Sequence, residues 1–366
     1  MILILRKYIG DIKAMKINRL NLISSLNKVL PGVAVGNVVI ENADTIVFNK
    51  GHIYSYNAAI SVDAKLPDGV SLTGVVKGKD FYNTLSKLPN DEIEIEMTDS
   101  TWEIKDGKIK VSIKLLPVGD LIKRFESHSP SEEWSEIDGS DFNKALKVCT
   151  IKGNTSSFPG IIFKDSAAYS TNKCIINKYC LKNSYPTFWI SDKTVNELGK
   201  WNNFVKVQFD KLWVHFMSDD GVIFSVRALN VTDYPLAKVS GLLEKDNGNN
   251  KAFSIVLDSA FYNGIDRASE FSNCIDEHET VEVEFGKEVK IRSSRDSGNY
   301  EEIVEGISVD IPNPKKMNFD YADFISSEKF FNTLEVISDT PDFDDTKPVH
   351  CILKADSAVK LFSSIR

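Results

Sequence analysis

The chain has 366 residues, 42% of them hydrophobic and 26% charged, which is too long for a single ordinary core and predicts two or three globular domains. Its net charge of −8 excludes a protein whose whole surface binds nucleic acid and leaves room only for a localised basic stripe. Five cysteines, widely spaced and never in a Cys-x-x-Cys pair, exclude a disulfide framework and a zinc ribbon and fit a reducing cytoplasm, and no apolar run reaches membrane-spanning length.

Residues 1–14 put the apolar run Met1 to Leu5 ahead of Arg6-Lys7, the reverse of a secretory signal, and read as an N-terminal extension with Met15 as a second candidate start. Lys16 to Leu20 is strand-like, and a helix through Leu22, Leu26 and Val29 stops before Pro31-Gly32. Strands are expected at Val38 to Glu41, Thr45 to Phe48, His52 to Tyr56 and Ala59 to Ala64, then a second helix from Asp80 to Leu88. Ile93 to Met97, Thr101 to Lys105 and Lys108 to Leu115 follow as strands, the last two joined by Asp106-Gly107, a hairpin-turn pair. Pro117 to Ser135 loses periodicity and reads as a linker.

The same order then recurs. Asp141 caps a helix with Phe142 and Leu146 four residues apart, strands follow at Gly160 to Lys164 and Cys174 to Leu181, and Ser191-Asp192-Lys193 opens a second helix from Thr194 to Trp201. Val205 to Phe209, Leu212 to Met217 and Val222 to Arg227 alternate as strands do, with Ser218-Asp219-Asp220-Gly221 as the turn between the last two. After a second linker from Asn230 to Asn250, a third copy begins at Phe253 to Val256 with a helix from Asp258 to Ala268. Its strands are Val281 to Phe285, Glu288 to Arg292 and Glu301 to Val309. Its second helix is expected over Phe330-Phe331-Asn332-Thr333-Leu334, which nearly repeats Phe81-Tyr82-Asn83-Thr84-Leu85.

First helices align at Leu22/Leu26, Phe142/Leu146 and Phe261/Ile265, and second helices at Leu85, Leu198 and Leu334. A period of roughly 120 residues exceeds solenoid repeats and predicts three concatenated domains, 15–118, 136–235 and 253–366, joined by linkers 119–135 and 236–252.

No catalytic constellation accompanies this architecture. The histidines are isolated, no Gly-rich phosphate loop or nucleophile elbow occurs, and neither a metal nor another cofactor is expected. Asp342, Asp344 and Asp345 carry the enzyme alternative, a metal nuclease, but among Thr, Pro and Lys they read first as a solvated acidic loop. The basic residues are more informative. Lys28, Lys147 and Arg267 recur just past the second apolar anchor of each first helix, with Lys144 a turn earlier, and Arg19, in the strand-like run ahead of the first helix, is counted with them as DNA-facing. The second helices add Lys77, Lys79, Lys87, Lys193 and Lys200. A solvated helix face explains any one of them, but recurrence across copies in an acidic protein points to a phosphate-facing stripe, electrostatic and indifferent to base sequence.

Met15-Lys16-Ile17 with its Leu-rich helix, Leu116-Pro117-Val118-Gly119-Asp120-Leu121, Tyr169 to Ile175 (with Thr171, Asn172, Lys173 and Cys174) and Asp233-Tyr234-Pro235 lie in a recognisable order. With Ile265-Asp266-Arg267-Ala268, Val289-Lys290-Ile291 and Glu301-Glu302-Ile303-Val304, the chain resembles the bacterial-type DNA polymerase sliding clamps, the beta processivity subunits, over nearly all of 15–366. The resemblance implies an α+β fold of three tandem clamp domains, each with two helices packed on curved antiparallel sheets. It implies two chains joined head to tail in a ring around duplex DNA, with the helices lining the hole. It further implies a cytoplasmic, non-enzymatic, cofactor-free protein with no membrane partner, in which polymerase and clamp loader dock through short peptide motifs in an apolar groove. On this chain the groove falls to Thr171, Cys174, Ile175, Pro235, Val239, Leu361, Phe362 and Ile365. Lys173 and its neighbours replace the family's Gly-His-Arg, the ending Phe362-Ser363-Ser364-Ile365-Arg366 replaces its Met-Pro-Met-Arg-Leu, and Thr340 to Val349 departs from its strand pattern. These departures point to a divergent, phage-encoded clamp with an altered motif preference. The rival expectation is a non-enzymatic structural or virion protein of repeated domains that does not encircle DNA.

Overall fold

Asn18 ends the first strand and starts the first helix: its side-chain oxygen accepts from the Asn21 amide at 3.0 Å, satisfying a backbone donor that a helix start leaves open. The computed structural model describes residues 13–36, 40–119, 121–126, 129–131, 133–151, 158–172, 174–248, 250–272, 274–275, 278–325, 330–338, 340 and 342–365. Two compact units emerge, one of the chain up to Gly139 with Trp201–Ala228, the other of Ser140–Lys200 with Leu229–Arg366.

In the first unit, α1 (Arg19–Val29) buries Leu22, Leu26 and Val29, and α2 (Gly78–Ser86) buries Phe81 and Leu85, the spacing that aligns apolar side chains on one helix face. A four-stranded antiparallel sheet runs in the order Lys13–Asn18, Glu92–Met97, Thr101–Asp106, Ile109–Lys114. An eight-stranded sheet runs Gly74–Lys77, Thr45–Asn49, His52–Tyr56, Ile60–Lys65, Ile223–Arg227, Trp213–Ser218, Phe204–Phe209, Ser135–Glu136. Phe48 from the larger sheet, Trp102 from the smaller and Phe81 from α2 meet edge-to-face with centroids 5.0–5.7 Å apart, so the core lies where both sheets and the helix converge. Each such ring contributes about 1.5–3 kcal/mol by burial. Strands of the first and second sequence copies pair directly, with Ile60 opposite Val226 and Val62 opposite Phe224. Gly221, at φ +81°, closes the hairpin turn expected there, a left-handed conformation that glycine adopts without steric cost.

The second unit carries α4 (Gly139–Cys149), α5 (Asp192–Leu198), α6 (Leu236–Gly248), α7 (Ser259–Ser269) and α8 (Ala322–Ile325), while α3 (Leu121–Glu126) belongs to the first. Its six-stranded sheet, again antiparallel, runs Ile161–Thr171, Ile176–Ile190, Ala358–Ser363, His350–Ala355, Thr333–Ile337, Lys251–Val256. A further sheet has Cys274–Ile275, His278–Phe285, Val289–Arg295 and Gly298–Val304, with Lys315–Asp320 paired to His278–Phe285. Phe142, Phe163 and Phe188 stack in one part of the core, and Phe261, Phe319, Phe324 and Phe362 pack in another.

The α+β class with antiparallel sheets is as the sequence predicts. Four local expectations are corrected. Phe330 to Leu334 forms no helix among the described residues: Thr333–Ile337 is a strand with partners on both sides, because Lys251–Val256 and His350–Ala355 supply the backbone hydrogen bonds that a five-residue helical pattern cannot outweigh. The strand expected at Val38 to Glu41 falls partly on 37–39, outside the described residues, and the part beyond is bend and turn. The first linker contains α3, whose Leu121 and Phe125, four apart, pack on Val47 and Val75. The second contains α6, thirteen residues long.

Candidate nucleic-acid and partner interfaces

Helix geometry separates the lysines from the core. On α4, Phe142, Ala145, Leu146 and Cys149 are buried while Lys144 and Lys147 are exposed, since residues three and four apart share a face and their neighbours do not. Asn143 Nδ2 donates to the Gly199 carbonyl at 3.1 Å and ties α4 to the end of α5. Lys147 and Lys200 line one cavity of about 380 Å³ there, with Leu146, Val195 and Phe330. Lys193 is exposed on α5, Lys79 on α2, and Lys87 just past α2. Among the described residues, none of Lys79, Lys87, Lys144, Lys147 and Lys193 has a carboxylate within ion-pair distance.

The other predicted cations are engaged. Lys28 meets Asp220 at 2.7 Å, Lys77 meets Asp44 at 2.5 Å, and Lys200 meets Glu197 at 2.8 Å. Arg267 is held by Glu302 at 2.6 Å and by the Tyr300 hydroxyl at 3.0 Å, and the hydrogen bonds it donates to Glu302 and Tyr300 raise its pKa further above an ordinary arginine. Arg19 is a correction. Its residue is 8% exposed, and its guanidinium donates to the carbonyls of Asn90 at 2.7 Å and Leu85 at 3.2 Å and to Asp91 at 3.3 Å. It pins the end of α2 and is not presented to a phosphate. Of the opposing carboxylates, only Glu197 could be found from the sequence, because its i, i+3 spacing to Lys200 is local; nothing along the chain links Lys28 to Asp220 or Arg267 to Glu302.

Two of the residues named for the apolar groove, Val239 and Leu361, come together in the structure. Ile162, Ile176, Trp189, Tyr234, Val239, Leu243, Ile352 and Leu361 form one buried cluster. Pro235 stands half-buried at the start of α6, and α6 lays Leu236, Val239 and Leu243 against the cluster. Thr171, Cys174 and Ile175 belong to the adjoining turn, where Asn172 Oδ1 accepts from the Cys174 and Ile175 amides at 3.1 and 2.8 Å. Thr171 Oγ1 donates to the Ile175 carbonyl at 2.9 Å, Cys174 is exposed and Ile175 half-buried; Lys173 lies outside the described residues.

Phe362 is a correction, and Ile365 is placed only through its backbone. Side chains alternate along a strand, so Leu361 and Phe362 face opposite sides, and Phe362 packs between Phe319 and Phe324 at 5.9 and 5.8 Å. Ile365 bridges to Asn318, its amide 2.7 Å from that carbonyl. The cluster also holds Ile176, Trp189, Tyr234 and Leu243, which sequence reasoning missed. The Ile175-Ile176 pair carries the available signal, and strand parity assigns the buried place to the second of the two. Burial raises the Tyr234 phenol pKa, and its hydroxyl has no hydrogen-bond partner among the described residues.

Among the described residues no three His, Cys, Asp or Glu side chains stand together to hold a metal ion. Asp342 pairs with Lys315 at 3.1 Å, Asp344 accepts from Thr346 Oγ1 at 2.6 Å, and Asp345 accepts from the Lys316 amide at 2.8 Å. No helix among the described residues is long and apolar enough to cross a membrane.

No protein-family model matches the chain, and no curated protein matches it. Solved structures do. The beta subunit of DNA polymerase from Streptococcus pyogenes matches with a TM-score of 0.72 at 18% identity, covering 97% of this chain and 100% of that one. The DNA polymerase sliding clamp from Bacillus subtilis matches with a TM-score of 0.74 at 17% identity, covering 97% and 100%. A DNA polymerase III subunit beta sliding clamp from Bartonella birtlesii, solved bound to griselimycin, matches with a TM-score of 0.75 at 14% identity, covering 96% and 99%. The chain therefore has the fold of the bacterial DNA polymerase III beta sliding clamps.

Proposed function

We propose that the protein is a sliding clamp that encircles duplex DNA and tethers a replicative polymerase, raising processivity without catalysing a reaction or using a cofactor. The observation that carries this reading is the match in fold over nearly the whole length of this chain and of the solved clamps. The helix-borne lysines support it: Lys79, Lys87, Lys144, Lys147 and Lys193 stand unpaired among the described residues, and Lys28, Lys77, Lys200 and Arg267 form a second set held by carboxylates. A ring needs only such weak, sequence-independent contacts, because escape requires opening an interface.

In this reading the chain comprises three domains, 15–118, 136–235 and 253–366, and two chains join head to tail. The strand Ile109–Lys114, at the edge of its sheet with Ile109 exposed, offers an unpaired backbone ladder for that junction. Polymerase and clamp-loader segments dock at the cluster of Ile176, Val239 and Leu361, with Pro235, Thr171, Cys174 and Ile175 at its border. The protein works in the cytoplasm, and its divergence fits a phage-encoded replisome.

The deciding experiment compares retention on closed circular DNA with retention on the same DNA after linearisation. Release that accelerates at least about tenfold on cutting is expected from topological tethering, whereas equal half-lives would leave a repeated-domain protein that binds DNA, if at all, by contact alone.

A further inference from the structure

Beside α3, the first unit holds a cavity of about 390 Å³ that belongs to neither surface described above. Tyr54, Phe125 and Trp134 wall it, and Ser61, Asp63 and Ser225 supply its polar lining. Its volume falls in the range of small-ligand sites. Two of its lining serines are tied in place: Ser129 Oγ donates to the Phe125 carbonyl at 3.1 Å, and Gln208 Nε2 donates to Ser131 Oγ at 2.9 Å.

Among the described lining residues Asp63 brings the only formal charge at neutral pH. One of its oxygens accepts from His52 Nδ1 at 2.7 Å, and the other has no hydrogen-bond partner among the described residues. Burial raises the Asp63 pKa, with His52 and Lys65 opposing, so the carboxylate is held in a place that under-solvates it. An anionic ligand would be repelled there, and a purely apolar one would desolvate the carboxylate further. A cation would complete it. The aromatic walls suit the same guest, since ring faces attract ammonium and guanidinium groups and cover an aliphatic stem. Tyr54 and Phe125 stand 5.2 Å apart between centroids, tilted by 36°, and Trp134 is half-exposed and stacks on no other ring among the described residues.

We infer that this cavity recognises a primary ammonium or guanidinium group on an aliphatic stem, the charge on Asp63 and the stem against Tyr54, Phe125 and Trp134. The group could belong to a free polyamine or to a lysine or arginine side chain of a partner protein.

Isothermal titration of the full chain with spermidine, with acetyl-Gly-Lys-Gly-amide and with acetyl-Gly-Arg-Gly-amide tests this, the norleucine tripeptide serving as uncharged control. Saturable one-site binding of at least one cationic probe is expected, about tenfold weaker in Asp63→Asn and in Trp134→Ala, with no binding of the control. Tighter spermidine assigns a free polyamine, and a tighter tripeptide assigns a protein side chain. Trp134→Ala, at a half-exposed position, decides alone should Asp63→Asn fail to fold. Absence of saturable cation binding through the millimolar range, or equal affinity in wild type and variants, overturns the inference.

Discussion

Lys28 Nζ stands 2.7 Å from Asp220 Oδ2, joining the last turn of α1 to a hairpin turn 192 residues further along the chain. Both side chains remain about a third exposed or more, so the pair contributes only about 0–1 kcal/mol and holds the lysine without sequestering it. Asp220→Asn should release Lys28 for phosphate. We expect duplex affinity at low salt to rise about two- to fivefold and the slope of log affinity against log salt to steepen by up to about 0.9, with little change in melting temperature. Fluorescence anisotropy over a salt series measures both. An unchanged slope would place Lys28 away from DNA.

The unpaired lysines should respond differently from the buried arginine. Reversal of Lys79, Lys144 and Lys193 to Glu should weaken DNA binding strongly and flatten the salt slope by about 0.9 for each phosphate no longer neutralised, leaving the fold intact because all three are exposed. Arg19→Ala should do the opposite. Removing donors to the Asn90 and Leu85 carbonyls costs about 1–3 kcal/mol of stability at an unaltered salt slope. Chemical denaturation run beside the anisotropy series separates the two, and a flattened slope in Arg19→Ala would contradict its structural assignment.

Phe362 divides a core role from a docking role. Packed against Phe319 and Phe324 and 1% exposed, it should lose about 3–5 kcal/mol on truncation to Ala. On the proposed reading, Ile175→Asp, at a half-buried position bordering the cluster, should abolish capture of polymerase or loader peptides with little loss of stability. Thermal melts and peptide titrations of both variants would show the contrast; a Phe362→Ala chain as stable as wild type would return that ring to the groove.

Asp344 makes a pH prediction with a definite sign. Hydrogen bonds from Thr346 and Lys347 lower its pKa to about 2, below the ordinary value of roughly 3.9. A depressed folded-state pKa contributes stability that is present above the ordinary value and is lost as pH falls towards about 2. Carboxyl resonances followed by NMR should therefore give Asp344 a midpoint near 2, and added divalent cation should leave it unmoved. A midpoint near the ordinary value, or a shift with metal, would reopen the acidic loop as a cation site.

Much of the helical framework was legible along the chain. Leu22, Leu26 and Val29, or Phe142 and Leu146, announce a buried face within one or two turns, and Ser191 and Asp258 cap as their side chains allow, whereas Asn18 reads as strand until its cap is seen. Leu121 and Phe125 carried the same signal for α3, but the surrounding Pro and Ser residues masked it. The string Phe330 to Leu334 misled for the converse reason. Its likeness to α2 is local, while its conformation is set by two strands that arrive from elsewhere in the chain. At the interfaces, the exposed lysines could be named from helix periodicity, but Arg19 could not be told apart from them, because the carbonyls it serves lie 66 and 71 residues away.

Composition, periodicity and caps act over a few residues, so the amino-acid sequence alone determined an α+β chain and its principal helices and turns. Only the tertiary structure decided that Ile60–Lys65 pairs with Ile223–Arg227, that Asp220 and Glu302 face Lys28 and Arg267, and that Leu361 and Phe362 divide between cluster and core. Each of these depends on which distant segment supplies the opposing backbone edge, charge or ring, and that choice is made when the whole chain packs.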